Sequence, residues 1–203
     1  MKKLCLTGLA LFVVMSLSAQ LNVSFGPNAG FGHTWTSGEG KSKYQPAGNF
    51  GVSLIYSATE HFGIGTDLKY SIEGGKKDLN NAEYTTRLNY VRVPINAYYF
   101  FNNYGDRVRP KISIGPSFGF LVGGKRMVND VEAGDIKDIY KGLDLGIQTT
   151  AGVHTRLVSN TWLTLDAGYY HGLSDVSEAA AKHRNRNLQF NVGLAVGIGK
   201  YVE

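Results

Sequence analysis

From Leu188 onward every second residue is large and apolar: Leu188, Phe190, Val192, Leu194, Val196 and Ile198. Between them stand Gln189, Asn191, Gly193, Ala195, Gly197 and Gly199. Successive side chains of a strand point to opposite faces, so this segment has one greasy face and one small or polar face. The pattern recurs seven more times. It starts at Val23, Phe50, Phe62, Val91, Ile112, Leu143 and Leu163, and Ile55 is an exception to the phase of its own segment. Eight strands of this length suit a tilted crossing of a bilayer. In the fourth strand Tyr84, Thr86, Leu88 and Tyr90 run in the opposite phase to Val91 onward, which predicts a bulge near Tyr90. Pro94 has no amide proton and is expected at a ladder irregularity.

The connections alternate in length. Residues 36–47, 73–83, 122–140 and 172–186 are long and polar, whereas 58–61, 102–107 and 158–161 are short. An up-and-down outer-membrane barrel has this alternation, with both termini on the short-turn, periplasmic side. Period two does not by itself say which face points outward. A soluble lipocalin-like ligand binder puts the apolar face inside, and a membrane barrel puts it outside. Volume decides, because eight strands enclose a space just wide enough for side chains to fill. That space fits the face carrying Gly26, Gly30, Gly32, Gly63, Gly65, Gly115, Gly119, Gly193 and Gly197, and not the aromatic one. Aromatics also sort into two girdles. Phe25, Tyr56, Phe62, Tyr99, Phe101 and Trp162 lie near the short turns, and Trp35, Phe50, Tyr70, Tyr84 and Phe190 near the long loops. The fold class is therefore all-β, an eight-stranded antiparallel up-and-down transmembrane β-barrel.

The start of the chain reads differently. Lys2 and Lys3 precede a mostly apolar stretch from Leu4 to Leu17, and Ser16-Leu17-Ser18-Ala19 offers small residues to a signal peptidase. Residues 1–19 are expected to be a cleaved signal peptide and 20–203 the barrel domain, located in the cell outer membrane. Cys5 is the one cysteine and falls in the leader, so disulfides and cysteine-metal sites are not expected in the mature chain. Without Lys2 and Lys3 the formal charge falls from +5 to a mild +3, with no basic block to suggest nucleic-acid binding.

On this placement Asp67, Lys69, Arg92, Asp144, Arg156 and Asp166 point inward, three acids facing three bases. The expected role is an ion-pair network that fills the lumen, since unpaired buried charge is costly. A gate opened by exchange of pairs is the sharper alternative. His154 near Asp166 and Asp144 raises acid–base catalysis, as in a barrel enzyme acting on lipid A or peptides. No nucleophile elbow accompanies it, so no catalytic residue is assigned. His33 and His171 lie near the long-loop rim. Lys182, His183, Arg184 and Arg186 make a basic patch in the last long loop that suits lipopolysaccharide phosphates. Asn129, Asp130, Glu132, Asp135 and Asp138 do not have EF-hand spacing. No nucleotide fingerprint or metal-ligand spacing occurs, and no cofactor or metal is expected.

Several local sequences carry a family resemblance. They are Ala19-Gln20, Leu88-Asn89-Tyr90-Val91-Arg92-Val93-Pro94-Ile95, Gly115-Pro116-Ser117 and Gly168-Tyr169-Tyr170-His171-Gly172-Leu173. With them the chain resembles, over residues 20–200, the PorT-like outer-membrane β-barrel group of Bacteroidetes. The chain departs from many such barrels in ending Tyr201-Val202-Glu203 rather than on an aromatic residue. The resemblance implies a fold and a location and no reaction; PorT itself serves the type IX secretion pathway. The expected partners are outer-membrane lipid and an envelope protein, and the barrel is expected to be monomeric. Its role is expected to be structural or interactive, through the long extracellular loops, with service as a secretion-accessory subunit as the alternative.

Overall fold

The computed structural model describes residues 22–37, 41–79, 81–133, 136, 139–178 and 183–198. The leader at 1–19, the last residues 199–203, Asp135, Asp138 and Lys182 lie outside the described residues. Eight long antiparallel strands form the wall: β1 (Val23–Thr36), β3 (Pro46–Ser57), β4 (Phe62–Leu79), β5 (Ala82–Phe100), β6 (Val108–Val128), β8 (Leu143–Val158), β9 (Thr161–Gly172) and β10 (Asn185–Ile198). Two short strands, β2 (Lys41–Lys43) and β7 (Val131–Glu132), flank β4 and β6 in the outer loops. Each long strand pairs with its neighbour in sequence, and β1 pairs with β10 from Val23↔Ile198 to Thr36↔Asn185, closing the ring. Every long strand thus has a partner on both sides, which is what lipid demands of a sheet.

The outward face is apolar around the membrane-crossing part of the wall. Phe31, Phe50, Phe62, Ile64, Leu68, Ile114, Phe190 and Val192 each expose more than half of their surface. Such a continuous apolar surface is stable only against lipid or a partner. The inward face holds Asn49, Asp67, Lys69, Arg92, Asn96, Lys111, Asp144, Asn187 and Asn191, all buried. Ile55 turns inward and packs with Tyr98 and Phe100 near the short turns, which accounts for its phase.

Three expectations change. First, β5 keeps one phase from Leu88 to Phe100, with Leu88, Tyr90, Arg92 and Asn96 all buried inside. Leu88 and Tyr90 are apolar on the inner face because Ile136, from the third long loop, packs on them. A register shift does occur at Asn89/Tyr90, but the extra residue is Val122 on the facing strand β6. Around Pro94 the β4–β5 ladder skips from Thr66↔Ile95 to Lys69↔Arg92, and Thr66 Oγ1 donates to Pro94 O at 2.8 Å. Second, the expected loop 73–83 is mostly strand, with β4 and β5 paired up to Leu79↔Ala82. β6 has 21 residues, about 70 Å at ~3.3 Å each. Even tilted by ~45° it rises about 50 Å, beyond an apolar band of ~25 Å. The β4–β5–β6 side of the barrel therefore stands out of the membrane. Third, two girdle residues move. Tyr84 lies about 23 Å along β5 from the Val91 row that holds Tyr70, and belongs to the projecting hairpin. Trp162 is on the inner phase of β9, with its ring 6.4 Å from that of buried His154.

The glycines serve two ends. At Gly119 a Cβ would lie 2.8 Å from the Arg92 guanidinium, so glycine there makes room for a side chain, as expected from the sequence. At Gly26 and Gly115 the clash would be with backbone carbonyls of neighbouring strands, at 1.9 and 1.8 Å, so glycine there lets strand backbones approach closely.

Candidate functional site

The lumen is built in layers. In the outer layer Arg92 of β5 reaches across to β4 and β8. Its Nε donates to Glu73 Oε1, and Nη2 donates to Glu73 Oε2 and Asp144 Oδ2, each at 2.6 Å. Ser71 Oγ donates to Glu73 Oε1 at 2.8 Å, and Asn185 Nδ2 to Asp144 Oδ2 at 2.9 Å. The guanidinium also lies over the ring of Tyr170, 3.8 Å from its centroid, and over Tyr90 at 4.9 Å. Four strands are thus tied through one cation with both carboxylates fully buried. Arginine suits this place because its fork satisfies two carboxylates at once.

Below this layer, toward the periplasm, Lys69 pairs with Asp67 at 2.9 Å, and Lys111 with Asp166 at 3.1 Å. Thr164 Oγ1 donates to Asp166 Oδ2 at 2.7 Å. These pairs border a pocket of about 30 Å³ that also meets Asn28, Asn96 and His154. A second pocket of about 10 Å³ lies between Lys69, Arg92, Gln148 and Gln189. By volume these admit about two waters and one. At the periplasmic end Phe100 and the Arg109 guanidinium stack at 4.4 Å, and Arg109 Nη2 donates to Glu60 O at 2.5 Å.

Five of the six charges expected in the lumen lie in these layers. Arg156 does not join them. It stacks on Trp162 at 5.0 Å and donates to the carbonyls of Tyr104, Gly105 and Asp106, fastening the 102–107 turn. Its position near the strand end places it at the rim, where backbone carbonyls are within reach. Three further charges are buried in the lumen, Glu73, Arg109 and Lys111. Glu73 opens the polar segment 73–83, whose composition reads as loop. Lys111 stood in the polar phase of its strand, and that alternation was the signal for it. His154 has the rings of Phe100 and Trp162 beside it, at 5.6 and 6.4 Å. Asp166 and Asp144 are committed to Lys111 and Arg92, and among the described residues neither bonds to His154.

The outer mouth is covered by the loops. Ile136 and Val176 are almost fully buried. Ile136 packs on Leu88 and Tyr90, with Leu121 and Tyr140 around it. Gly124, at φ +157°, leaves the space in which Ile136 Cδ1 sits; a Cβ there would lie 2.6 Å away. The third and fourth loops are stitched together. Lys141 N donates to Val176 O at 2.9 Å, and Glu178 N to Ile139 O at 2.8 Å. Asp175 accepts the amides of Ser177 and His183, at 3.1 and 2.9 Å. Those bonds hold its carboxyl below its usual pKa.

Of the expected basic patch, Arg186 lies on β10 itself and pairs across to Trp35 and His171. Arg184 directly precedes the strand, and His183 sits in the loop. Among the described residues no group of three or more His, Cys, Asp or Glu side chains is placed to hold a metal ion.

Comparison with known proteins agrees with this architecture. The family model described as "Outer membrane protein beta-barrel domain" matches residues 18–178. Neisserial surface protein A is similar in structure, with a TM-score of 0.53 and 15% identity, over 86% of this chain and 98% of that one. Ail, the attachment invasion locus protein of Yersinia pestis, is similar with a TM-score of 0.50 and 12% identity, over 87% and 99%. At these identities the likeness is one of fold. No curated protein sequence matches the chain.

Proposed function

Since this chain belongs to the outer membrane protein beta-barrel domain family, we propose that it is a closed, non-enzymatic barrel acting through its outer loops and its projecting β4–β5–β6 wall. The observation that carries the reading is the joint closure of the lumen. The Arg92–Glu73–Asp144 layer crosses it, and Ile136 and Val176 cover the mouth above. A pore for solutes needs a wider barrel and an unobstructed core. What remains to meet other molecules is the outer surface, where loops carry binding in most scaffolds. In this reading residues 1–19 are a cleaved leader, the barrel is a monomer in outer-membrane lipid, and an envelope protein is its partner.

The finer placement in the PorT-like group rests on the local sequences quoted above, chiefly Leu88–Ile95 and Gly115-Pro116-Ser117. Service as an accessory subunit of a secretion assembly is the second reading. The projecting wall favours it, because that wall offers sheet surface beyond the lipid. The test of closure is conductance of the refolded, unmutated protein in planar bilayers. No large stable current is expected; a steady open level would overturn the closed lumen. A fold-dependent mobility shift on unheated gels reports that the barrel has formed.

A further inference from the structure

The outward wall of β9, β10 and β1 changes character over two rows at its outer end. Strand register sets Ala167, Phe190 and Phe31 side by side, then Tyr169, Leu188 and His33, then His171, Arg186 and Trp35. Residues opposed across antiparallel strands share a face, and Phe31 and Phe190 are exposed on the lipid side. Arg184 is two residues beyond Arg186, continues the column and is exposed. Its backbone is fixed, since Ser37 N donates to Arg184 O at 2.9 Å and Arg184 N donates to Ser37 Oγ at 3.0 Å. Arg186 Nη1 donates to Gly172 O at 3.0 Å. Beneath the cations lies an ordered aromatic shelf. His33 stacks on Trp35 and on Tyr44, each at 5.0 Å, and Trp35 lies 6.3 Å from Tyr169. β1 and β10 contain no acidic residue, and the one acid of β9, Asp166, faces inward to Lys111. Among the described residues no carboxylate pairs with Arg184 or Arg186.

We propose that this patch binds the phosphate of an anionic glycolipid of the outer leaflet. Two guanidinium groups offer the forked donors that phosphate accepts. The aromatic shelf suits the boundary between acyl chains and headgroups. The patch is on the lipid-facing wall directly above Phe31 and Phe190, not on the loop tips, and this favours a membrane lipid over a soluble anion. Basic clusters at such a height attract anionic headgroups. The inference rests on the barrel's place in the outer membrane, which the mobility shift of the unmutated protein tests separately.

The chain has two tryptophans, Trp35 in the patch and Trp162 at the opposite end of the barrel. A Trp162→Phe background therefore makes emission a reporter of the patch. The detergent-folded full chain is titrated with bisphosphorylated lipid A, with dephosphorylated lipid A and with inositol hexakisphosphate. A saturable change is expected for the first alone, with the midpoint weakened roughly thirtyfold in R184Q/R186Q. An equal response to the dephosphorylated lipid, or an unchanged midpoint in the double variant, would overturn the proposal. Binding of the hexakisphosphate as tight as that of the lipid would also overturn it, in favour of a soluble-anion site. Should R184Q/R186Q lose its folded mobility, R184Q alone carries the test, since Arg184 is exposed and precedes the strand.

Discussion

Among the described residues, Arg92 is the cation that pairs with the buried carboxylates of Glu73 and Asp144. Its removal leaves Glu73 and Asp144 buried and uncompensated, a change that costs about 3–5 kcal/mol. Arg92→Ala should therefore lower the urea midpoint of the folded gel band sharply. Arg156→Ala removes bonds to turn carbonyls at a half-exposed rim, so a loss of only about 1–2 kcal/mol is expected. Equal midpoints for the two variants would contradict the layered lumen. Asp67, Lys69, Asp144 and Asp166 were legible in the sequence because inward phase and charge coincide in regular strands. Phase says which face a residue occupies and nothing of its height, so Arg156 has the phase of a lumen charge but sits at the rim. Glu73 was hidden because strand β4 runs on past the apolar band, where the greasy face that reveals a strand has ended.

The two outer loops that meet over the mouth depend on Asp175. Its folded pKa lies below the usual 3.8 because it accepts two backbone amides. The stabilisation is thus fully present above that usual value and disappears as pH falls through the lower, folded value. Hydrogen exchange at the Ser177 and His183 amides should accelerate on such acidification, after correction for intrinsic rates. In Asp175→Asn exchange should already be faster at neutral pH. No difference between variant and parent at neutral pH would show that the loops are held by packing alone. This arrangement could not be read from sequence. Loop residues carry no period, and Ile136 announces its burial only through Leu88, Tyr90 and Gly124, which are remote in the chain. In the sequence Leu88 and Tyr90 stand out only as a change of phase before Val91, because apolar side chains inside a polar lumen make sense only once the plug is known.

The wall as a whole is uneven in height. β4, β5 and β6 have 18, 19 and 21 residues, against 12 in β9 and 14 in each of β1 and β10. In the proposed reading the tall side meets a partner, and the low side carries the cationic row. If the tall side holds an envelope partner, mild-detergent isolation of the intact protein should retain it. Shortening the hairpin by excising 76–84 should release it while leaving the folded gel mobility in place. Recovery of the barrel alone from both would sink the partner reading. The architecture itself was legible, because period two, alternating loop lengths and interior volume together admit few other closed folds.

Closure by β1 and β10 also governs how the molecule can be made. The pair Val23↔Ile198 joins residues 175 positions apart, so the seam cannot zip until nearly the whole chain is present. Contacts so distant in sequence slow folding. Every intermediate before that step exposes two unpaired strand edges, which lipid does not tolerate and which invite pairing with other chains. Loss of the last strand would therefore not yield a smaller, weaker barrel. It would yield an open sheet with nowhere to rest, and nascent chains need shelter until the seam is sealed.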